Sequence, residues 1–235
     1  MKSFKHSGDL GDIIFSLPTI RALGGGVLYL DPKGGEEEPL VEWTAHNKSK
    51  LTEERINSIK SLLEYQTYIS EVKLWDGEKI DYNLDIFRHH IIYNNLSDSH
   101  LAPFDLPFSE RDRAWLQVPS VKKPAEVIFA RSSRYHGNYS FWEQLDQSLI
   151  EKAVFLGYEK EHEYFKYTFP RMKGVPLKKV QNIMEMAQVI AGCGLFVGNV
   201  GLPHALAEGM KKTLISEVYR VYPPATFERE GATYV

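Results

Sequence analysis

Cysteine is almost absent. Cys193 is the single one in 235 residues, so no intramolecular disulfide can form and no cysteine-rich metal cluster can be built. Long apolar runs are missing too: no window approaches the ~18 consecutive apolar residues of a membrane helix. The first residues lack the basic start, apolar run and small-residue cleavage site of a secretory leader. Together these absences lead to the expectation of a cytoplasmic protein with no membrane span. An excess of charge of one sign is lacking as well. The 28 basic and 31 acidic residues leave a net charge of −3, which argues against a general electrostatic grip on a nucleic-acid backbone, although a local basic groove stays open. The patterns HExxH, CxxC, GxxxxGK[ST] and GxSxG do not occur, which removes the carriers of zinc-protease, P-loop and common esterase chemistry. His89, His90 and His100 lie near acids but lack metal-ligand spacing, so no metal site is expected.

What is present is enough apolar sequence for a substantial core, 43% of residues with 12% aromatic. MKSFKH reads as a first strand. IIFSLPTIRAL then carries Ile13, Ile14, Leu17, Ile20 and Leu23 at helical spacing, Gly24-Gly25-Gly26 stops it, and residues 27–31 read as a buried strand. This is the β-turn-α-β opening of a Rossmann-like unit. Residues 33–50 read as an exposed acidic loop, and 51–66 as an amphipathic helix capped by Thr52. Residues 71–76 and 82–87 read as neighbouring strands or a hairpin about Asp76-Gly77. A short helix is expected near 97–108. The stretch ending Val121-Lys122-Lys123-Pro124 reads as a linker at 119–124, between a first domain at 1–118 and a second at 125–235. The second half repeats the alternation: strands at 126–133, 152–158, 195–199 and 213–218, with helices at 139–145, 180–193 and 202–210. The expected fold class is therefore α/β, two parallel Rossmann-like domains facing a cleft.

The turn HSGDLGD (6–12) places Asp9 and Asp12 between the first strand and first helix. Carboxylates there would repel a phosphate, and Gly8 with Gly11 falls short of the three-glycine dinucleotide fingerprint. One of the two can cap the helix, and the other can accept a proton from a hydroxyl while the helix dipole favours its charge. The second half offers the opposite arrangement in FVGNVGLPHALAEG, where Asn199 and Gly201 open a helix with no acid in its first turn. Its amides, on Gly201 and Leu202, suit an anion, with His204 either a phosphate donor or structural. Arg131, Ser132, Ser133, Arg134 and His136 follow a strand end and suit a diphosphate whose charge grows as it leaves. Glu217, with Glu208 as competitor, suits a pair of ribose hydroxyls.

GDIIFSLPTIRAL, FARSSRYHGNYSFW and VFLGYEKE with FVGNVGLPHALAEGM together resemble the heptosyltransferase-like branch of the GT-B glycosyltransferases. Members carry Asp-Thr-Gly where this chain has Asn199-Val200-Gly201, and a strand-end lysine where it has Arg134. The resemblance implies a minimal GT-B fold and an inverting, metal-independent glycosyl transfer from a nucleotide sugar, which is a substrate, with no cofactor. Asp12 falls at the family's base, and residues 199–204 at its donor diphosphate turn. The acceptor hydroxyl stays open among a glycan, a lipid-linked glycan, a small molecule and a hydroxymethylated base in phage-type DNA. Two other classes stay open: a nucleotide-sugar epimerase, and a non-catalytic nucleotide-sugar-binding protein.

Overall fold

A computed structural model describes residues 1–33, 51–90, 95–219 and 225–235. The acidic loop expected at 33–50 lies, apart from Lys33, outside them. The chain divides into two compact units, Met1–Gln117 and Val118–Val235.

The first unit is built from β1 (Lys2–His6), α1 (Leu10–Ala22), β2 (Gly26–Leu30), α2 (Glu53–Glu64), β3 (Ile69–Leu74), β4 (Tyr82–Asn83) and α3 (Leu96–Leu101). Its four strands are ordered β3-β2-β1-β4, and every pairing is parallel. α1 is apolar on nearly all sides, and residues Ile13 to Ile20 are buried without a break, as befits a helix wrapped by its own unit. α2 instead buries only Ile56, Ile59, Leu62 and Leu63 at helical spacing. Thr52 caps it by accepting the Arg55 amide at 3.3 Å.

One strand pairing departs from expectation. The run 82–87 is strand only at Tyr82 and Asn83, and it continues as a 3-10 turn from Leu84 to His89. β4 pairs with β1 rather than with β3, so no hairpin forms about Gly77. The reason is that Asp81 is tied to Ser3, whose amide and hydroxyl both donate to its carboxylate at 2.8 and 2.9 Å.

The second unit contains β5 (Val127–Ala130), α4 (Tyr139–Gln144), α5 (Gln147–Glu151), β6 (Ala153–Leu156), α6 (Glu159–Thr168), β7 (Leu177–Lys178), α7 (Ile183–Gly192), β8 (Leu195–Asn199), α8 (Leu202–Gly209), β9 (Leu214–Glu217) and β10 (Ala232–Tyr234). All pairings in its six-stranded sheet, β10-β9-β8-β5-β6-β7, are again parallel. Phe129, Trp142, Phe155, Phe165 and Phe169 form an aromatic core on one face, largely edge to face. Each such buried side chain contributes about 1.5–3 kcal/mol. α6 is the least obvious element, because EKEHEYFKYT is mostly polar. It is held by Phe165 in that core and by His162, whose Nε2 donates to the Val175 carbonyl at 2.8 Å. Among the described residues no helix is long and apolar enough to cross a membrane.

Candidate functional site

In an open parallel sheet, ligands collect beyond the carboxyl ends of the strands where the chain reverses its direction of travel across the sheet. Each unit has one such point. In the first, the chain goes from β1 outward to β2 and β3 and returns as β4 on the other side of β1. In the second, it goes from β5 outward to β6 and β7 and returns as β8 on the other side of β5. The two sequence patches singled out above sit at these points.

Beyond β1 the chain makes the turn Ser7-Gly8-Asp9, and each of its three amides already has an acceptor. Ser7 donates to Asp85 Oδ1 at 2.9 Å, Gly8 to His6 Nδ1 at 2.8 Å, and Asp9 to Asp12 Oδ2 at 3.1 Å. These three amides are therefore already engaged within the protein. Asp9 is the N-cap of α1 and ion-pairs with Arg55 at 3.2 Å. Asp12, at the third helical position, supplies the returning half of a capping box. Both carboxylates are half-buried. Gly8 is required by close approach, since a Cβ there would lie 2.6 Å from His6 Cε1 and 2.9 Å from Asp12 Oδ2.

A buried polar layer underlies this turn. Asp85 accepts from Arg88 at 2.7 Å and lies 3.7 Å from Lys5, which also pairs with Asp31 at 3.2 Å. His100 sits beneath α1 with Nε2 donating to the Asp12 carbonyl at 3.2 Å, its ring 5.2 Å from that of His6. Desolvation lowers the His6 pKa to about 4, against the pull of Asp85, and places His100 well below its ordinary value. Both rings are therefore neutral at pH 7. His100 and Asp85 were not singled out for this role in the sequence. Nothing at positions 85 and 100 marks them, because their contacts with residues 7 and 12 are long-range.

In the second unit Asn199, the last residue of β8, reaches across to the segment beyond β5. Its Oδ1 accepts the Ser132 amide at 2.8 Å, and its Nδ2 donates to the Arg134 carbonyl at 2.6 Å. Ser132 Oγ lies 3.3 Å from the Val200 carbonyl, and His136 Nε2 donates to the Ser132 carbonyl at 2.7 Å. Gly201 caps α8, no acid stands in the first turn, and Gly201, Leu202 and Pro203 are half-exposed. Ser132, Gly201, Leu202 and the exposed Arg134 are thus brought to one switch point. Asn199 is there too, but buried as the brace that holds the segment rather than turned outward.

The expectations for Glu217, Arg131, His204 and Glu208 are corrected. Glu217 was expected to meet ribose hydroxyls, but it has no exposed surface and is saturated by protein donors. Arg131 donates from Nε at 2.8 Å and from Nη2 at 3.1 Å, the Gly137 and Asn138 amides at 2.7 and 3.0 Å, and Trp142 Nε1 at 2.8 Å. Burial alone would raise the pKa of Glu217. The bonds and charge of Arg131, with Trp142 and Asn138, outweigh that and hold it below the usual carboxylate value. Arg131 was expected at a diphosphate. It is instead buried against Glu217, with its guanidinium 4.9 Å from the Tyr139 ring and 5.1 Å from that of Phe169. For His204, expected either as a phosphate donor or as structural, the side chain is wholly buried and desolvation lowers its pKa to about 4. Glu208, the competitor for the ribose, is likewise buried and clamped by Arg229 and Lys211. Among the described residues no three or more His, Cys, Asp or Glu side chains gather as a metal site.

Two parallel α/β units, each with one switch point carrying polar residues, define a two-unit Rossmann-like architecture. No protein-family model matches the sequence, and no curated protein matches it either. Solved structures do. A glycosyl transferase family 9 structure from Veillonella parvula matches 99% of this chain and 84% of its own, with TM-score 0.63 and 10% identity. Escherichia coli heptosyltransferase WaaC with ADP matches 100% and 92%, with TM-score 0.59 and 11% identity. Escherichia coli ADP-heptose LPS heptosyltransferase II matches 100% and 90%, with TM-score 0.54 and 14% identity. At these identities the likeness is one of fold, the GT-B-like α/β fold that the resemblance implied.

Proposed function

We propose that the protein is a glycosyltransferase that moves a sugar from a nucleotide-sugar donor to an acceptor hydroxyl, inverting and without a metal. The observation that carries this reading is the opposite chemistry of the two switch points. In the first unit the turn amides are occupied and two carboxylates stand at the strand end. In the second, a helix start without an acid lies beside the segment Ser132–Arg134, half-exposed at Ser132 and exposed at Ser133 and Arg134. A proton acceptor and an anion site are what direct displacement at an anomeric carbon requires.

In this reading the second unit holds the donor diphosphate. The amides of Gly201 and Leu202 and the hydroxyl of Ser132 bind its oxygens, and Arg134 meets the charge that grows on the leaving group. Pro203 supplies no amide, so recognition at the helix start rests on its neighbours. Asp12 of the first unit accepts the proton of the attacking hydroxyl as the new glycosidic bond forms and the bond from the anomeric carbon to the diphosphate oxygen breaks. Asp9 is the cap that fixes this turn. Arg131, Glu217 and Asn199 act indirectly, as the frame of the diphosphate segment. The fold likeness to solved glycosyltransferase and heptosyltransferase structures supports the class.

The test is incubation of the full chain with a panel of nucleotide sugars, monitoring release of nucleoside diphosphate with and without candidate acceptors. Acceptor-dependent release supports transfer. Epimerised sugar formed without an acceptor would move the reading to an epimerase, and tight binding without turnover to a binding protein.

A further inference from the structure

Among the described residues three that are not glycine have a left-handed backbone: Asp105 at φ 53°, Lys211 at φ 55° and Tyr135 at φ 60°. The first two close helical segments, Asp105 after a 3-10 turn and Lys211 just past the end of α8, where this conformation is routine. Tyr135 follows no helix. It lies between β5 and α4, next to the exposed Arg134, and a bulky side chain in this backbone region is strained. Such strain persists only where the surroundings impose it, and it gathers at sites that hold a ligand.

The surroundings of Tyr135 do impose it. On one side the Arg134 carbonyl accepts from Asn199 Nδ2 at 2.6 Å. On the other, His136 is tied to the Ser132 carbonyl at 2.7 Å, and the amides of Gly137 and Asn138 are tied to Glu217 at 2.7 and 3.0 Å. With both flanks fixed, the reversal at Tyr135 brings its ring against the residue before it. The Arg134 guanidinium lies 5.3 Å from the centre of the Tyr135 ring, within cation–π reach, and Tyr219 braces that ring at 5.8 Å in an edge contact. Arg134 is exposed, whereas Tyr135 and Tyr219 are half-buried. An exposed arginine is free to sample many rotamers, and a fixed ring against its guanidinium narrows them before any ligand arrives.

We propose that Tyr135 is the positioning residue of Arg134, its left-handed backbone turning the ring onto the guanidinium so that this charge is held at the segment beyond β5. This rests on the assignment of residues 132–134 and 201–202 to the donor diphosphate. Tyr135 touches no substrate in this role and acts through Arg134.

Calorimetric titration of the full chain with pyrophosphate, which carries the charge without a base, tests it. The variants are Arg134→Ala, Tyr135→Gly, Tyr135→Phe, and Arg134→Ala combined with Tyr135→Gly. Glycine adopts this backbone without strain, so Tyr135→Gly removes the ring and keeps the turn. Tyr135→Asn, whose side chain also tolerates the left-handed region, is a second ringless variant. Both ringless variants should weaken pyrophosphate by about 2- to 10-fold, the effect of losing one cation–π contact. Tyr135→Phe should keep the parental affinity, because the ring suffices. The combined variant should bind no more weakly than Arg134→Ala alone, which a general loosening of the segment would not produce. A loss below about twofold in both ringless variants, a Tyr135→Phe chain as weak as they are, or losses that multiply in the combined variant would each overturn the role of Tyr135 and leave the diphosphate assignment standing. If the parent chain does not bind pyrophosphate, or Arg134→Ala binds it as the parent does, the assignment of Arg134 to the diphosphate fails and the proposal falls with it.

Discussion

Arg131 and Glu217, 86 residues apart, form a doubly hydrogen-bonded pair in the second unit, with both side chains almost wholly inaccessible to water. Glu217 also takes the amides of Gly137 and Asn138, so one carboxylate at the end of β9 fixes the segment that follows β5. The pair is a frame for the segment beyond β5. Gly137 fits the same design, because a Cβ there would run into the Val218 carbonyl oxygen.

Glu217→Gln keeps the shape of the side chain and removes its charge, leaving the Arg131 guanidinium buried without a counter-ion. Breaking a buried pair from one side costs about 3–5 kcal/mol, so the urea midpoint of the second unit should fall strongly. A loss below about 1 kcal/mol would show that the pair is not sealed from solvent.

Asn199→Asp installs the residue that the resembled family carries at this position, yet it should destabilise this chain. Nδ2 of Asn199 donates to the Arg134 carbonyl at 2.6 Å, and a carboxylate oxygen in its place would face that carbonyl with no proton between them. The expected cost is about 1–3 kcal/mol, read by chemical denaturation, together with weaker nucleotide binding. Unchanged stability would contradict the role of Asn199 as a brace.

Acid should destabilise both units through their buried histidines. His6 in the first and His204 in the second have pKa values lowered by burial from 6.5 to about 4. Between those values the unfolded chain binds more protons than the folded one. Stability is therefore fully present above about pH 6.5 and is lost as the pH falls toward 4. Each histidine carries on the order of 3 kcal/mol over that window. Urea midpoints compared at pH 7 and pH 4.5 should fall with acidification, and a midpoint that rose or stayed level would contradict the burial of these rings.

Much of the frame could be read from the chain because it is local. β1, α1, β8 and α8 follow from apolar runs and helical spacing around Gly8 and Gly201, and the Thr52 cap from its place before an amphipathic run. What could not be read depends on distant partners. The pairing of β4 with β1 turns on Asp81 meeting Ser3. α6 looks polar until Phe165 has a core to enter. At the site, exposed and buried versions of the same polar residue are identical in sequence. Arg131 and Arg134 stand three residues apart, yet only the first meets Glu217. His204 follows a helix start as a ligand donor would, but the third position of α8 turns inward. Asp9 and Asp12 were legible as a pair with two roles. The structure joins them in one capping box, with Asp9 also paired to Arg55.

Glycosyl transfer by Asp12→Asn is the most direct measurement. Asn keeps an oxygen that can accept the Asp9 amide, so the cap of α1 survives while the proton acceptor is lost. With a donor and acceptor that the parent chain turns over, the variant should fold, bind donor with unchanged Kd, and lose about 10²–10⁴-fold in kcat, the usual contribution of a general base. A folded Asp12→Asn chain that transfers sugar at close to the parental rate would contradict the assignment of proton removal to this turn.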